Sequence, residues 1–119
     1  MKVGIDSVEV ERIEKLVCKN ERFIERVFSC EEQSEFKNRS SKPEHIAAAY
    51  AAKEAFSKTI GTGVAGFKLC EVSLLHEENG KPFLEFSGNA EEIVKENKLS
   101  FDVSITHTKT VATAIVIAF

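Results

Sequence analysis

With 119 residues, 43% hydrophobic and 29% charged, the chain has the make-up of one globular domain spanning 1–119, small enough that self-association would cover surface it cannot bury alone. A formal net charge of −3, with neither a basic stripe nor a stacking run of aromatics, argues against nucleic-acid binding. Cys18, Cys30 and Cys70 are odd in number and lack C-x-x-C spacing, and "KVGIDSVEV" is too short and too charged for a signal peptide or membrane span, so a cytoplasmic protein with ordinary thiols is expected.

In chain order, "KVGID" reads as a short strand, Lys2 to Ile5, ending at Asp6. From about Val10, the apolar residues Ile13, Leu16, Val17, Ile24 and Val27 recur at helical spacing among Arg12, Lys15, Lys19, Arg22 and Arg26, which predicts an amphipathic helix broken near Asn20. Ser29 followed by Glu32 is a capping-box pattern that opens a helix through about Asn38, and "NRSSKPE" is a loop. "EHIAAAYAAKEAFSKTI" is rich in alanine and free of internal glycine or proline, so a closely packed helix is expected there.

"GTGVAG", Gly61 to Gly66, has the G-x-G-x-x-G spacing of a dinucleotide loop. That spacing works between a strand and the start of a helix, whereas here it follows a helix and precedes the β-type stretch "FKLCEVSLLH". It reads as a helix cap at Gly61 and a turn. Asn79-Gly80 predicts a type I′ turn between strands near Val72–His76 and Phe83–Phe86. "GNAEEIVKENKL" is a short helix with Ala90, Ile93 and Val94 inward; "FDVSITH" and "VATAIVIAF" are strands joined near Thr108 to Thr110. The last is so apolar that burial on both faces, or at a subunit interface, is expected.

Two carboxylates stand out: Asp6 at its strand end and Glu54 within the alanine-rich helix, where a Lys53-Glu54 pair needs a polar role. Two oxygen ligands with room for waters and phosphate oxygens suit Mg²⁺, and Lys58, four residues after Glu54, shares its face. His107 closes "VSITH" on the face of Val103 and Ile105, and its neighbours Thr106, Thr108 and Lys109 point towards phosphate or nucleotide contact. There is no H-E-x-x-H, G-x-S-x-G or Walker lysine motif, so the chain is expected to promote attack by a substrate group rather than form a covalent intermediate.

The segments "GIDSVEVERI", "RFIERVFSCEE", "AAKEAFSKTIGTG", "ENGKPFLEFSG" and "VSITHTKTVATAIV" together resemble the holo-[acyl-carrier-protein] synthases, a group of 4′-phosphopantetheinyl transferases, in family order over nearly the whole chain. The resemblance implies an α/β (α+β) fold, a small antiparallel sheet packed with helices, assembling as a homotrimer with active sites between subunits. It implies transfer of 4′-phosphopantetheine from coenzyme A to a serine of apo acyl carrier protein, releasing adenosine 3′,5′-bisphosphate, in support of fatty acid biosynthesis. Asp6 and Glu54 match the family's catalytic Mg²⁺ ligands, with Glu54 the expected proton acceptor and Glu32 a weaker candidate. Lys58, Gly61 and Gly63 would face coenzyme A phosphates, His107 and Thr108 the nucleotide, and Lys81 and Pro82 its adenine side. Arg12, Arg22 and Arg26 match basic positions that dock the acidic carrier.

Two departures stand beside this. Ala49-Tyr50 occupies the place where many relatives have Arg-Phe, removing a guanidinium contact to coenzyme A, and the first strand is shorter than usual. The alternatives are a non-catalytic trimer that binds coenzyme A or a nucleotide, and a carrier-protein interaction module. The presence of both carboxylates favours the enzyme.

Overall fold

Helix α4 (Pro43–Ile60) lies across a three-stranded antiparallel sheet of order β1-β5-β4, formed by Lys2–Glu9, Val111–Ala118 and Phe101–His107. The structure is a computed structural model, which describes residues 1–61 and 66–119. Between β1 and α4 run three shorter helices, α1 (Val10–Lys19), α2 (Phe23–Val27) and α3 (Cys30–Asn38). A 3₁₀ turn (Leu69–Glu71), the hairpin β2 (Val72–His76) and β3 (Pro82–Phe86), and α5 (Gly88–Glu96) precede β4. This is an α+β arrangement of small antiparallel sheets and helices.

Alanine brings α4 close to the sheet. Ala47, Ala51, Ala52 and Ala55 are fully buried, and β5 answers with Ala112, Ala114, Val116 and Ala118 on its inner face. Gly4 of β1 completes the contact, since a Cβ there would stand 1.9 Å from the carbonyl oxygen of Ala55. A second apolar cluster gathers round Phe56, whose ring centroid lies 5.0 Å from Phe86, 5.2 Å from Phe101 and 5.4 Å from Phe67. Ala90, Ile93 and Val94 of α5 face this cluster.

Several sequence expectations hold. The first amphipathic segment breaks at Asn20, whose side chain accepts from the Arg22 amide at 3.1 Å. The Ser29–Glu32 capping box is formed, and Gly61 ends α4 in the left-handed conformation (φ 75°). Within "FKLCEVSLLH" the strand begins at Val72 as expected, with Glu71 bending back to accept from the Lys68 amide at 2.9 Å.

Others are corrected. Asp6 is in mid-strand, because Ser7 and Val8 continue the ladder opposite Thr113 and Ala112. The hairpin turn is not type I′: only Gly80 has positive φ (90°), and its amide donates to the Glu77 carbonyl at 2.8 Å. That is a three-residue loop closed by a left-handed glycine. Asn79 serves instead through its side chain, which accepts from the Lys81 amide at 3.0 Å. Strand β5 is buried on one face only. On its outer face Ile115 and Ile117 pair with Ile5 and Val3, which are 55% and 61% exposed.

Candidate active site

Strand alternation turns Gly4, Asp6 and Val8 of β1 inward, so the Asp6 carboxylate meets the edge of α4. On that edge Tyr50, Glu54 and Lys58 follow one another at four-residue steps. The Lys58 ammonium donates to the carbonyl of Ile5 at 2.8 Å and to Asp6 Oδ1 at 3.3 Å. From α1, the Arg12 guanidinium sits 5.9 Å from the centre of the Tyr50 ring, which also packs 6.1 Å from Phe23. Burial, reinforced by the charge of Glu54 and more weakly by that of Asp6, holds the Tyr50 hydroxyl above its ordinary pKa, while Arg12 pulls the other way. Asp6, Arg12, Tyr50, Glu54 and Lys58 thus form one electrostatic cluster contributed by three elements.

The cluster offers two carboxylates, one ammonium and one guanidinium. Hard oxygen donors without thiolate or imidazole are what Mg²⁺ takes, and two carboxylates leave positions for water and phosphate oxygens. Among the described residues no group of three or more His, Cys, Asp or Glu gathers to hold a metal. Asp6 and Glu54 are the oxygen donors that fit.

Glu32 is not available for proton transfer. It is fully buried, takes the Ser29 and Leu74 amides at 3.0 Å each, and receives Lys53 Nζ at 2.5 Å on Oε1. Lys53 also donates to the carbonyls of Leu69, at 3.1 Å, and Val72. Burial pushes the Glu32 carboxyl up and the Lys53 ammonium down, each towards its neutral form. Lys53 and Glu54 adjoin in sequence but point apart: one bolts α4 to α3 and β2, the other faces the Asp6 side.

The remaining candidates lie elsewhere. Gly61 caps α4 just after Lys58, whereas Gly63 lies outside the described residues. His107 ends β4 with its ring 5.7 Å from that of His45, a residue not singled out from the sequence. Thr108 beside it accepts the amides of Thr110 and Val111 at 3.2 and 3.1 Å, which shapes the β4–β5 turn. Lys81 and Pro82 end the β2–β3 hairpin, with Pro82 opposite His76. Arg12 lines an open groove with Ser7, Glu9, Lys15 and Lys19, while Arg22 and Arg26 are exposed at α2.

A family model described as the 4′-phosphopantetheinyl transferase superfamily matches residues 2–116. The chain belongs to that superfamily. A similar member is a holo-[acyl-carrier-protein] synthase of Thermoanaerobacter sp. (strain X514), 41% identical over 117 residues, covering 98% of this chain and 85% of the relative. The crystal structure of the Neisseria meningitidis holo-[acyl-carrier-protein] synthase superposes with a TM-score of 0.90 at 26% identity, covering 99% and 97% of the two chains. The Helicobacter pylori holo-[acyl-carrier-protein] synthase, solved in complex with coenzyme A, gives 0.86 at 29% identity, covering 98% and 99%. In this member of the phosphopantetheinyl transferase superfamily, Ala49 is buried in the wall of the cleft that holds His45 and His107.

Proposed function

We propose that the chain catalyses the holo-[acyl-carrier-protein] synthase reaction, moving 4′-phosphopantetheine from coenzyme A to a serine of apo acyl carrier protein. The observation that carries this reading is the Asp6–Lys58–Glu54 cluster between β1 and α4, in a chain of this superfamily. The serine oxygen bonds to the β-phosphorus of the pyrophosphate, the bond from that phosphorus to the bridging oxygen breaks, and adenosine 3′,5′-bisphosphate leaves with the electron pair. Asp6 and Glu54 hold Mg²⁺, which when bound supplies charge neutralisation at the phosphate oxygens. Glu54 accepts the serine proton. Lys58 binds the pyrophosphate, with Gly61 and Gly63 beside it, while His107 and Thr108 contact the nucleotide and Lys81 and Pro82 border its adenine.

The carrier docks along the groove of Arg12, with Arg22 and Arg26 extending its positive edge towards an acidic partner. Three copies meet through the exposed apolar face of Val3, Ile5, Ile115 and Ile117, so that active sites lie between subunits; a face of this kind supports self-association. No nucleic acid is part of this reading. Among the described residues no helix is long and apolar enough to cross a membrane, in keeping with work in the cytoplasm.

The test is the intact mass of apo acyl carrier protein after incubation with this protein, coenzyme A and Mg²⁺, with and without chelator. A chelator-sensitive gain of one phosphopantetheine is expected. No gain, on a carrier that another synthase modifies, would leave a non-catalytic nucleotide-binding protein or a carrier-binding module.

A further inference from the structure

Glu54 enters the proposed chemistry with no ion pair of its own. Among the described residues no cation lies within salt-bridge distance of its carboxylate, and Lys58, one turn further on, reaches to Asp6 and the Ile5 carbonyl instead. A glutamate side chain is long and flexible, so a carboxylate left to itself samples rotamers that miss the ion it should hold. Ligating carboxylates are as a rule steadied by a hydrogen bond from a residue that does not touch the metal.

Tyr50 is placed to give that bond. It lies one turn before Glu54 on the same face of α4, and both side chains are half-buried. Its ring is fixed by two neighbours from other parts of the chain. The Arg12 guanidinium stands 5.9 Å from the ring centre, and Phe23 packs at 6.1 Å, itself seated edge-on against Phe28 at 5.9 Å. Glu54 acts on the Tyr50 hydroxyl by charge and by hydrogen bonding, and towards an ionised carboxylate a phenol is a donor. A phenylalanine would fill the same space against Arg12 and Phe23, so packing does not account for the hydroxyl.

We infer that Tyr50 is a positioning residue: its hydroxyl donates to the Glu54 carboxylate and keeps that carboxylate turned towards Asp6, ready for a divalent cation. Arg12 and Phe23 fix the ring, the ring aims the hydroxyl, and the hydroxyl holds the carboxylate. The inference rests on the proposed function for what Glu54 holds, whereas the bond between Tyr50 and Glu54 is a property of the chain whether or not transfer occurs.

The chain has one tyrosine and no tryptophan, so its intrinsic emission comes from Tyr50 alone. A phenol bonded to a carboxylate emits weakly, because the excited phenol gives up its proton towards the acceptor. The experiment compares the full chain with Glu54→Gln and Tyr50→Phe by tyrosine emission, by calorimetric titration of Mg²⁺ alone and with coenzyme A present, and by steady-state kinetics. Glu54→Gln is expected to emit more strongly than the wild type. Mg²⁺ raises the wild-type emission, since the cation draws charge from the acceptor, and leaves that of Glu54→Gln unchanged. Tyr50→Phe keeps the ring and its contacts, so its fold survives. It is expected to bind Mg²⁺ about ten- to hundredfold more weakly and to lose a similar factor in kcat below Mg²⁺ saturation, with the KM for the carrier unmoved. Equal emission from the wild type and Glu54→Gln overturns the inference. So does a Tyr50→Phe whose Mg²⁺ affinity and kcat match the wild type, or one whose loss is confined to the KM for the carrier, which would make Tyr50 a platform for Arg12 alone. Carrier modification is read separately by mass: a wild type that modifies no carrier while its emission still depends on Glu54 sinks the transferase reading and leaves the Tyr50–Glu54 bond standing.

Discussion

Lys58 and Asp6 are joined at 3.3 Å across the seam between α4 and β1, and the same ammonium holds the Ile5 carbonyl at 2.8 Å. The Lys58 side chain is half-exposed, so the pair contributes little to folding: surface ion pairs contribute about 0–1 kcal/mol. Its position beside Asp6 and one turn from Glu54 matters more. Lys58→Met is expected to change the unfolding free energy by no more than about 1 kcal/mol while raising the KM for coenzyme A about tenfold or more. Steady-state kinetics beside a urea titration check this; an unchanged KM would remove Lys58 from phosphate binding.

The buried pair behaves in the opposite way. Lys53→Met strands the Glu32 carboxyl among Leu74, Ser29 and apolar neighbours, and breaking a buried pair from one side costs about 3–5 kcal/mol. The loss depends on pH. Burial raises the folded-state pKa of Glu32 above its unfolded value, so its contribution is fully present below the unfolded value and is lost as pH rises through the folded one. The deficit of Lys53→Met relative to wild type therefore shrinks in acid and grows towards neutrality. The companion Lys53→Met with Glu32→Leu removes the stranded charge and recovers most of the loss. Denaturant titrations of the three proteins at several pH values measure both effects.

The contrast between these two lysines shows what the sequence carried and what it did not. The alanine run of α4, the Ser29–Glu32 box and the break at Asn20 are local patterns, and each appears where its residues predict. The match of Asp6, Glu54 and Lys58 to family motifs was legible for the same reason. The burial of Glu32, the weaker of the two candidate proton acceptors, leaves no local trace, because its partner Lys53 lies 21 residues away and only tertiary packing brings them together. Asp6 was placed at a strand end because the pairing that extends β1, Val8 with Ala112, joins the two ends of the chain. His45 carried no local signal; its cleft exists only once α3, α4, β2 and β4 have packed.

Arg12 links the site to the outside, with its guanidinium over Tyr50 and its side chain in the groove of Lys15 and Lys19. Lys15 is paired with Glu11 at 3.1 Å, whereas Arg12 packs over Tyr50, the ring that also feels the charges of Glu54 and Asp6. Reversing it in Arg12→Glu is expected to raise the KM for the carrier several-fold at low ionic strength and less at high salt, because screening shortens the reach of exposed charges to about 10 Å at 0.1 M. An equal effect at both salts would point to lost packing on Tyr50 rather than lost attraction.

Ile5 and Ile115 pair on the outer face of the sheet, with Val3 and Ile117 one step along. Two exposed isoleucine and valine side chains on β1 beside two half-buried isoleucines on β5 make a contiguous apolar surface that a lone chain would leave wet. Ile5→Glu puts a charge at its centre without touching the inner face, where Gly4 and Asp6 point towards α4. The fold of one chain should survive, since Ile5 contributes little to its core. Light scattering is expected to give the mass of three chains for the wild type and of one for Ile5→Glu. If active sites lie between subunits, turnover falls with assembly and returns in part at high protein concentration; a fully active single chain would place every catalytic group within one subunit.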